Sequence, residues 1–217
     1  MNRNLLVILG PTASGKTRLG VGAARALGGE ILSADSRQVY RGMDLGTGKD
    51  LTEYGDVPYH LIDLVAPGYE VNVFEFQRRF FEAFAEIAGR TRLPILVGGT
   101  GLYLDAVLRG YRLVEVPENP ELRRQLAELS LDRLSDRLLE LRPKPHNTTD
   151  ILQRDRLIRA IEIAEGEQMA DRHLPPPPEL RPLIFGVQWE RAELRRRITA
   201  RLKERLGRGM IEEVERL

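Results

Sequence analysis

Leu5-Leu6-Val7-Ile8-Leu9, followed directly by Gly10-Pro11-Thr12-Ala13-Ser14-Gly15-Lys16-Thr17, decides how this 217-residue chain is to be read. An apolar run of strand length that ends in glycine, and then a helix-forming stretch over residues 16–27, reads as strand, loop and helix. The loop fits the pattern G-x-x-x-x-G-K-[ST], and a strand before it with a helix after it is the context that pattern requires. Its glycines let backbone N–H groups converge on phosphate oxygens at a helix N-terminus, where the helix dipole adds to the attraction. Lys16 supplies a point charge, and the Thr17 hydroxyl is placed to hold magnesium. The alternative is a chance glycine turn. The signal speaks strongly for phosphate and says little about which phosphate.

The same alternation continues outward. Residues 30–34 are strand-like and end in Asp35-Ser36-Arg37-Gln38, and residues 60–65 form another short apolar run closed by Pro67-Gly68. Over residues 73–88, Phe76, Phe80, Phe84 and Ile87 recur at helical spacing, which predicts an amphipathic helix with a buried aromatic face. Residues 94–97 read as a buried strand that ends in Gly98-Gly99-Thr100-Gly101 and hands over to a helix over 102–108. Strand and helix in alternation imply a parallel sheet with right-handed crossovers, an α/β fold built on a P-loop core.

After Val114 the texture changes to charged helical segments with leucine at three- and four-residue spacing: Leu122, Leu126, Leu129, Leu134, Leu138 and Leu141. A mostly helical insertion is expected there. It runs on through residues 155–165, with Leu157, Ile158, Ile161 and Ala164 as the apolar stripe, and closes near the extended run Pro175-Pro176-Pro177-Pro178. Residues 183–189 read as a strand returning to the first lobe, followed by helices over 191–206 and 209–217 that reach the last residue without a glycine or asparagine cap. The expected organisation is therefore a first core segment over 1–113, an insertion over 114–180, and a truncated return to the core over 181–217.

Composition narrows the setting. The chain has no cysteine, which removes disulfides and Cys-based zinc sites and points to a reducing cytoplasm. No apolar run is long enough to span a bilayer, and the N-terminus leads straight into a strand rather than a signal sequence, so a soluble protein with no membrane partner is expected. Net charge is +1 although 30% of residues are charged, so a polyanion would have to meet a local basic face. His60, His146 and His173 lack metal-ligand spacing and read as structural or surface residues.

Asp35 falls where the second strand ends, on the rim where ligands bind in open parallel sheets. Its carboxylate could accept a proton from an attacking group, hold water or magnesium, or simply cap a helix. Ser36 and Gln38 are ambiguous alone. Thr100 ends a third strand on that rim, with a hydroxyl where many nucleoside triphosphatases carry an acidic magnesium ligand; the plain alternative is a glycine turn with Thr100 capping the next helix. Thr47-Gly48-Lys49 forms a flexible loop whose lysine either faces phosphate or is solvated. In the insertion, Arg154, Arg156 and Arg159, with Arg123 and Arg124, suit RNA phosphates, against the alternative of solvated helix arginines.

Taken together, GPTASGKT at 10–17, SADSRQVYRGMDLGTGKD at 33–50, HLIDL at 60–64 and ILVGGTGLYLDAVLRG at 95–110 resemble the bacterial tRNA dimethylallyltransferase family. The likeness continues through PENPELR at 117–123, HNTTD at 146–150, RLIRAIEI at 156–163 and GMIEEVERL at 209–217, nearly the whole chain. The resemblance implies transfer of a dimethylallyl group from its diphosphate to the exocyclic N6 amine of the adenosine beside the anticodon. It implies that Gly10 to Thr17 bind the diphosphate leaving group with Mg2+ at Thr17, and that Asp35 acts as general base, with Lys16, Thr17 and Thr100 completing the catalytic set. It further implies that Asp35, Ser36, Arg37, Gln38, Thr100, Arg123, Arg156 and Arg159 meet the tRNA anticodon stem-loop, and a monomer is expected. Family members usually continue through a basic and aromatic stretch resembling Arg-Gln-x-Thr-Trp, which does not occur before Leu217. The competing readings are a small-molecule kinase using ATP in the same loop, with Arg154 and Arg159 as a lid, and a catalytically impaired RNA-binding fragment.

Overall fold

The structure is a computed structural model and describes residues 3–111, 113–143, 153–169 and 177–217. His146 and the rest of HNTTD, His173, and Pro175 and Pro176 of the proline run lie outside the described residues. In chain order the elements are β1 (Leu5–Leu9), α1 (Lys16–Leu27), β2 (Gly29–Ala34), β3 (Tyr59–His60), α2 (Val73–Gly89), β4 (Leu93–Gly98) and α3 (Gly101–Leu108). They continue with α4 (Pro120–Ala127), α5 (Leu131–Leu141), α6 (Arg154–Met169), β5 (Pro182–Gly186), α7 (Arg191–Gly207) and α8 (Met210–Glu215). Compact packing divides the chain into one unit of Met1–Tyr111 with Pro177–Leu217 and a second of Arg112–Pro176.

The first unit is a 5-stranded sheet in the order β3-β2-β4-β1-β5, parallel at every pairing. Because side chains alternate across a strand, each apolar run serves both faces of the sheet. Leu5 and Val7 of β1, Leu32 of β2 and Leu96 of β4 pack under α2 and α3, against Phe76, Phe80, Phe84 and Ile87. Leu6 and Ile8, Ile31, and Ile95 and Val97 face the other way, toward Val21 and Ala24 of α1. Burying each large apolar side chain is worth roughly 1.5–3 kcal/mol, so the aromatic face of α2 is the main anchor of its layer. Phe76 also stacks on Tyr103 of α3, ring centroids 3.8 Å apart. Asn72 fixes the start of α2 by accepting from the N–H of Glu75 at 2.8 Å.

Two strand expectations need correction. The run over 60–65 is not a strand: β3 is only Tyr59 and His60, after which Leu61 and Asp63 enter the left-handed region at φ 66° and 56°. Beyond it, Val65 forms an isolated parallel bridge with Tyr40 of the loop after β2, outside the sheet. The cause is polar: Asp63 turns aside to bind Lys49 through its carboxylate and Gln38 O through its N–H. The returning strand is also shorter than 183–189, because after Gly186 only the Val187 N–H still reaches Leu9 O, at 2.8 Å, before Glu190 opens α7. Leu183, Ile184 and Phe185 of β5 remain 44%, 49% and 52% exposed, so this edge pairs with β1 through its backbone and buries little side chain.

The second unit is helical among its described residues. Asn119 and Ser130 cap α4 and α5 by accepting from the N–H groups of Leu122 and Arg133, and Pro120 occupies the first helical turn, where a missing N–H costs nothing. Leu122, Leu126, Leu134, Leu138, Leu157, Ile158 and Ile161 form its core, with Leu129 and Leu141 packed at the margin. Beneath them lies Glu162, side chain 1% exposed, accepting from the Asn119 N–H, Arg123 and Arg159.

Candidate active site

The P-loop sits where β1 ends, and its backbone is held in an unusual shape. Ala13 and Gly15 adopt φ 61° and 87°, the first of these a conformation that a side chain disfavours. Gly10 is required by close approach, since a Cβ there would lie 2.9 Å from Ser14 Oγ and 3.0 Å from Val187 O. Gly15, as the N-cap of α1, offers no capping side chain, and the first turn carries no acid. The leading N–H groups of α1 therefore have no side-chain acceptor, which is the arrangement of an anion site. Ser14 Oγ is the buried side-chain polar atom without a partner among the described residues. A bound anion in this cradle would give that hydroxyl an acceptor.

Lys16 Nζ donates to Pro11 O at 3.3 Å, folded back across the loop. Burial lowers its ammonium below the ordinary lysine value; Asp35 opposes that, and Arg201 reinforces it. β4 ends beside Lys16, and a Cβ on Gly99 would fall 2.9 Å from Gly10 O, so glycine is needed for this strand end to close on the P-loop.

Asp35 and Thr100 meet across the β2 and β4 ends. Asp35 Oδ1 accepts from the Arg37 N–H at 2.9 Å, closing a turn in which no helix begins, so the helix-cap alternative for Asp35 does not hold. Thr100 occupies the N-cap position of α3 but makes no capping hydrogen bond with its side chain. Its Oγ1 accepts from the Ser36 N–H at 3.0 Å instead, tying the two strand ends together. Asp35, Thr100, Ser36 and Arg37 share with Gly10 to Thr12 and Lys16 the wall of a cavity of about 320 Å³. Gln38 is buried, accepts from Ser33 Oγ at 3.0 Å and donates to Gly48 O at 3.1 Å. It braces the loop and also lines a smaller cavity of about 50 Å³ with Asp35, Lys16 and Thr17.

Lys49 is neither solvated nor turned to phosphate. Its side chain is fully buried, and Nζ binds Tyr40 O at 2.6 Å, Asp44 Oδ1 at 2.7 Å and Asp63 Oδ1. It is the internal tie of the loop between β2 and β3.

Sequence reasoning missed the arginines of α7. Arg197 donates to Ala13 O at 3.0 Å and lies over the Trp189 ring, whose Nε1 donates to Ser14 O at 2.9 Å. Arg201 reaches Gly48 O and Asp50, and Arg205 also pairs with Asp50. With Lys16 and Thr17, Arg197 and Arg201 line an opening of about 350 Å³ beside the P-loop. The apolar positions of α7, Leu194, Ile198, Leu202 and Leu206, recur every four residues, but none of them is buried, so the stripe does not say which arginine faces a ligand.

In the second unit the expected RNA arginines differ among themselves. Arg123 and Arg159 both close on Glu162, and Arg159 also donates to Val116 O at 2.9 Å. Arg154 donates to Ala127 O and Leu129 O at the end of α4. Arg156 is exposed and makes no ion pair among the described residues.

A parallel sheet with an uncapped P-loop helix at its rim places the chain among the P-loop α/β proteins. The IPP transferase family model matches residues 38–217, and the chain belongs to this family. It is 70% identical to tRNA dimethylallyltransferase 2 of Syntrophotalea carbinolica and 66% identical to tRNA dimethylallyltransferase 1 of Geotalea uraniireducens, in both cases over 217 residues. Those matches take in all of this chain and 73% and 71% of the relatives. Its structure is similar to that of a tRNA isopentenylpyrophosphate transferase from Bacillus halodurans, with a TM-score of 0.68 at 36% identity over all of this chain and 70% of the other. A eukaryotic dimethylallyltransferase acting on tRNA shares the fold, with a TM-score of 0.79 at 23% identity over 99% of this chain and 56% of the other.

Proposed function

We propose that this protein transfers a dimethylallyl group from dimethylallyl diphosphate to N6 of the adenosine beside the anticodon in tRNA, releasing diphosphate. The observation that carries the reading is the juxtaposition, in one family member, of an uncapped P-loop with Asp35 and Thr100 on the wall of the same cavity. Family membership favours this reading over the ATP-dependent kinase and the impaired RNA binder.

In the reaction the adenine amine attacks the allylic carbon, the bond from that carbon to the diphosphate oxygen breaks, and one N6 proton is lost. The amine lone pair is delocalised into the ring, so taking the proton as the C–N bond forms helps the attack. Asp35 is the base: its Oδ1 is engaged by the Arg37 N–H, which fixes the carboxylate on the cavity wall. The leaving diphosphate gathers negative charge, which Lys16 and the leading N–H groups of α1 stabilise from fixed positions. Arg197 and Arg201 line the same opening, Arg201 with its charge shared with Asp50. Thr100 orders the Ser36 segment against which the target base would rest, and a stacked base must flip to reach it.

The Thr17 hydroxyl lines the P-loop openings, and no acidic cluster able to cage a metal occurs among the described residues. This fits a magnesium ion held by Thr17 together with diphosphate oxygens and water. When bound, it would neutralise charge on the leaving group. No described helix is long and apolar enough to cross a membrane, and a monomer acting in the cytoplasm is the proposed setting. The decisive test is incubation with labelled dimethylallyl diphosphate and unmodified tRNA: label in the RNA is expected, and its absence with intact diphosphate binding would overturn the transfer reading.

A further inference from the structure

The loop between β2 and β3 carries a feature that the transfer chemistry leaves unused. Successive backbone N–H groups of Asp44, Leu45 and Gly46 all point at one carboxylate, that of Glu213 in α8. Oε2 accepts from Asp44 at 3.0 Å and Leu45 at 2.7 Å, and Oε1 accepts from Gly46 at 2.9 Å. Consecutive N–H groups converging in this way form an anion nest, and here the anion is supplied by the chain itself. α7 grips the other end of the same loop, through Arg201 on Gly48 O and through Arg201 and Arg205 on Asp50. A Cβ on Gly48 would collide with the Arg205 guanidinium, so loop and helix are in direct contact.

What this loop does is visible in its neighbours. Gly46 and Thr47 form the wall of the cavity that faces Asp35, Thr100 and Lys16. Gly48 O receives the Gln38 amide, whose oxygen receives Ser33 Oγ, so a displacement of the loop passes into the segment that holds Asp35. We propose that Glu213 is a positioning residue: by filling the nest at residues 44–46 it sets the part of the acceptor cavity wall made by Gly46 and Thr47, in the cavity that Asp35 also lines. The carboxylate acts through the loop and touches no reacting atom. The proposal rests on the transfer reading for its chemistry, and its geometry stands apart from it.

The test compares Glu213→Ala and Glu213→Gln with the unsubstituted protein by hydrogen exchange at amides 44–46, titration with inorganic pyrophosphate, and steady-state prenylation of unmodified tRNA. In Glu213→Ala the three amides are expected to exchange faster while pyrophosphate affinity stays within about twofold. Misplacing one wall of the site should lower kcat by about 10- to 100-fold, more than it raises KM. Glu213→Gln keeps an acceptor oxygen and should restore part of both the protection and the rate. Unchanged turnover in Glu213→Ala despite faster exchange would overturn the proposal, and so would a parallel loss of pyrophosphate affinity, which marks general structural support. A protein that binds pyrophosphate but never prenylates tRNA defeats the transfer reading instead. The positioning role then stands or falls on whether Glu213→Ala loosens amides 44–46 while pyrophosphate binding is kept.

Discussion

In the proposed reaction Asp35 and Lys16 would divide the work of the site by charge, and substitutions should separate their contributions. Asp35→Asn keeps the shape and an acceptor for the Arg37 N–H but removes the proton acceptor. Single-turnover prenylation should fall by roughly 10²–10⁴, with diphosphate binding little changed, because the anion is held by the P-loop rather than by Asp35. A rate near that of the unsubstituted protein would remove Asp35 as base, and a collapse of diphosphate binding would make it part of a magnesium site. Lys16→Ala should do the reverse: titration should show weakened affinity for dimethylallyl diphosphate with an unchanged unfolding midpoint, since Lys16 is partly exposed and its one hydrogen bond runs to Pro11 O. Equal affinity in the two proteins would refute the P-loop assignment. The positions of both residues at the sheet rim were legible in the sequence because their signals are local. The loop pattern fixes Lys16, and the end of an apolar run fixes Asp35. Lys49 was misjudged for the opposite reason: its acceptors Asp44 and Asp63 lie in loops, and no local pattern announces that a lysine will be fully buried.

Elements built on alternating or helical apolar spacing, such as β1, α1, α2 and the leucine stripes of the second unit, were readable because burial of one face dictates the pattern. β3 was overestimated because an apolar run is consistent with a strand, while the polar tie of Asp63 to Lys49 that breaks it is long-range. The role of α7 was hidden because its contacts, Arg197 with Ala13 and Arg201 with Gly48, join residues far apart in sequence. At α6 the deciding residue is Glu162. Burial alone would raise its carboxyl, but hydrogen bonds from Arg123, the Asn119 N–H and Arg159 outweigh that and hold it at about 2, against an ordinary 4.5. A depressed carboxyl contributes stability above its unfolded value and loses it as pH falls toward the folded one. The contribution of Glu162 should therefore be complete above about pH 4.5 and disappear toward pH 2, and is worth at most about 3 kcal/mol. Glu162→Gln should be less stable than the unsubstituted protein at pH 7, with the gap in denaturant unfolding, or in exchange of α6 amides, closing over that window. A gap independent of pH would mean that packing, not charge, is what Glu162 supplies.

For the whole molecule, 33 basic residues against 32 acidic ones leave almost no net charge with which to attract tRNA. Long-range attraction is therefore weak, and any salt-dependent affinity must come from particular cations whose charge is not already spent on a carboxylate. Many arginines are spent in this way: Arg79 on Glu75, Arg90 on Glu30, Arg123 and Arg159 on Glu162, Arg137 on Glu165, and Arg201 and Arg205 on Asp50. Arg156 is exposed and outside any ion pair among the described residues, so in the second unit it is the best placed of the expected RNA-binding residues to neutralise a phosphate. Taking away one such neutralised phosphate should reduce the slope of log affinity against log salt by about 0.7–0.9. Arg156→Ala should accordingly weaken tRNA binding at low salt and flatten that slope by about one, while leaving the unfolding midpoint and diphosphate affinity as they were. Arg123→Ala should behave differently, lowering the stability of the helical unit because it strips a partner from the buried Glu162 carboxylate. Measuring tRNA binding across a salt series, with thermal unfolding of both variants alongside, separates the two roles. An unchanged slope in Arg156→Ala would show that α6 does not meet the tRNA backbone through this residue.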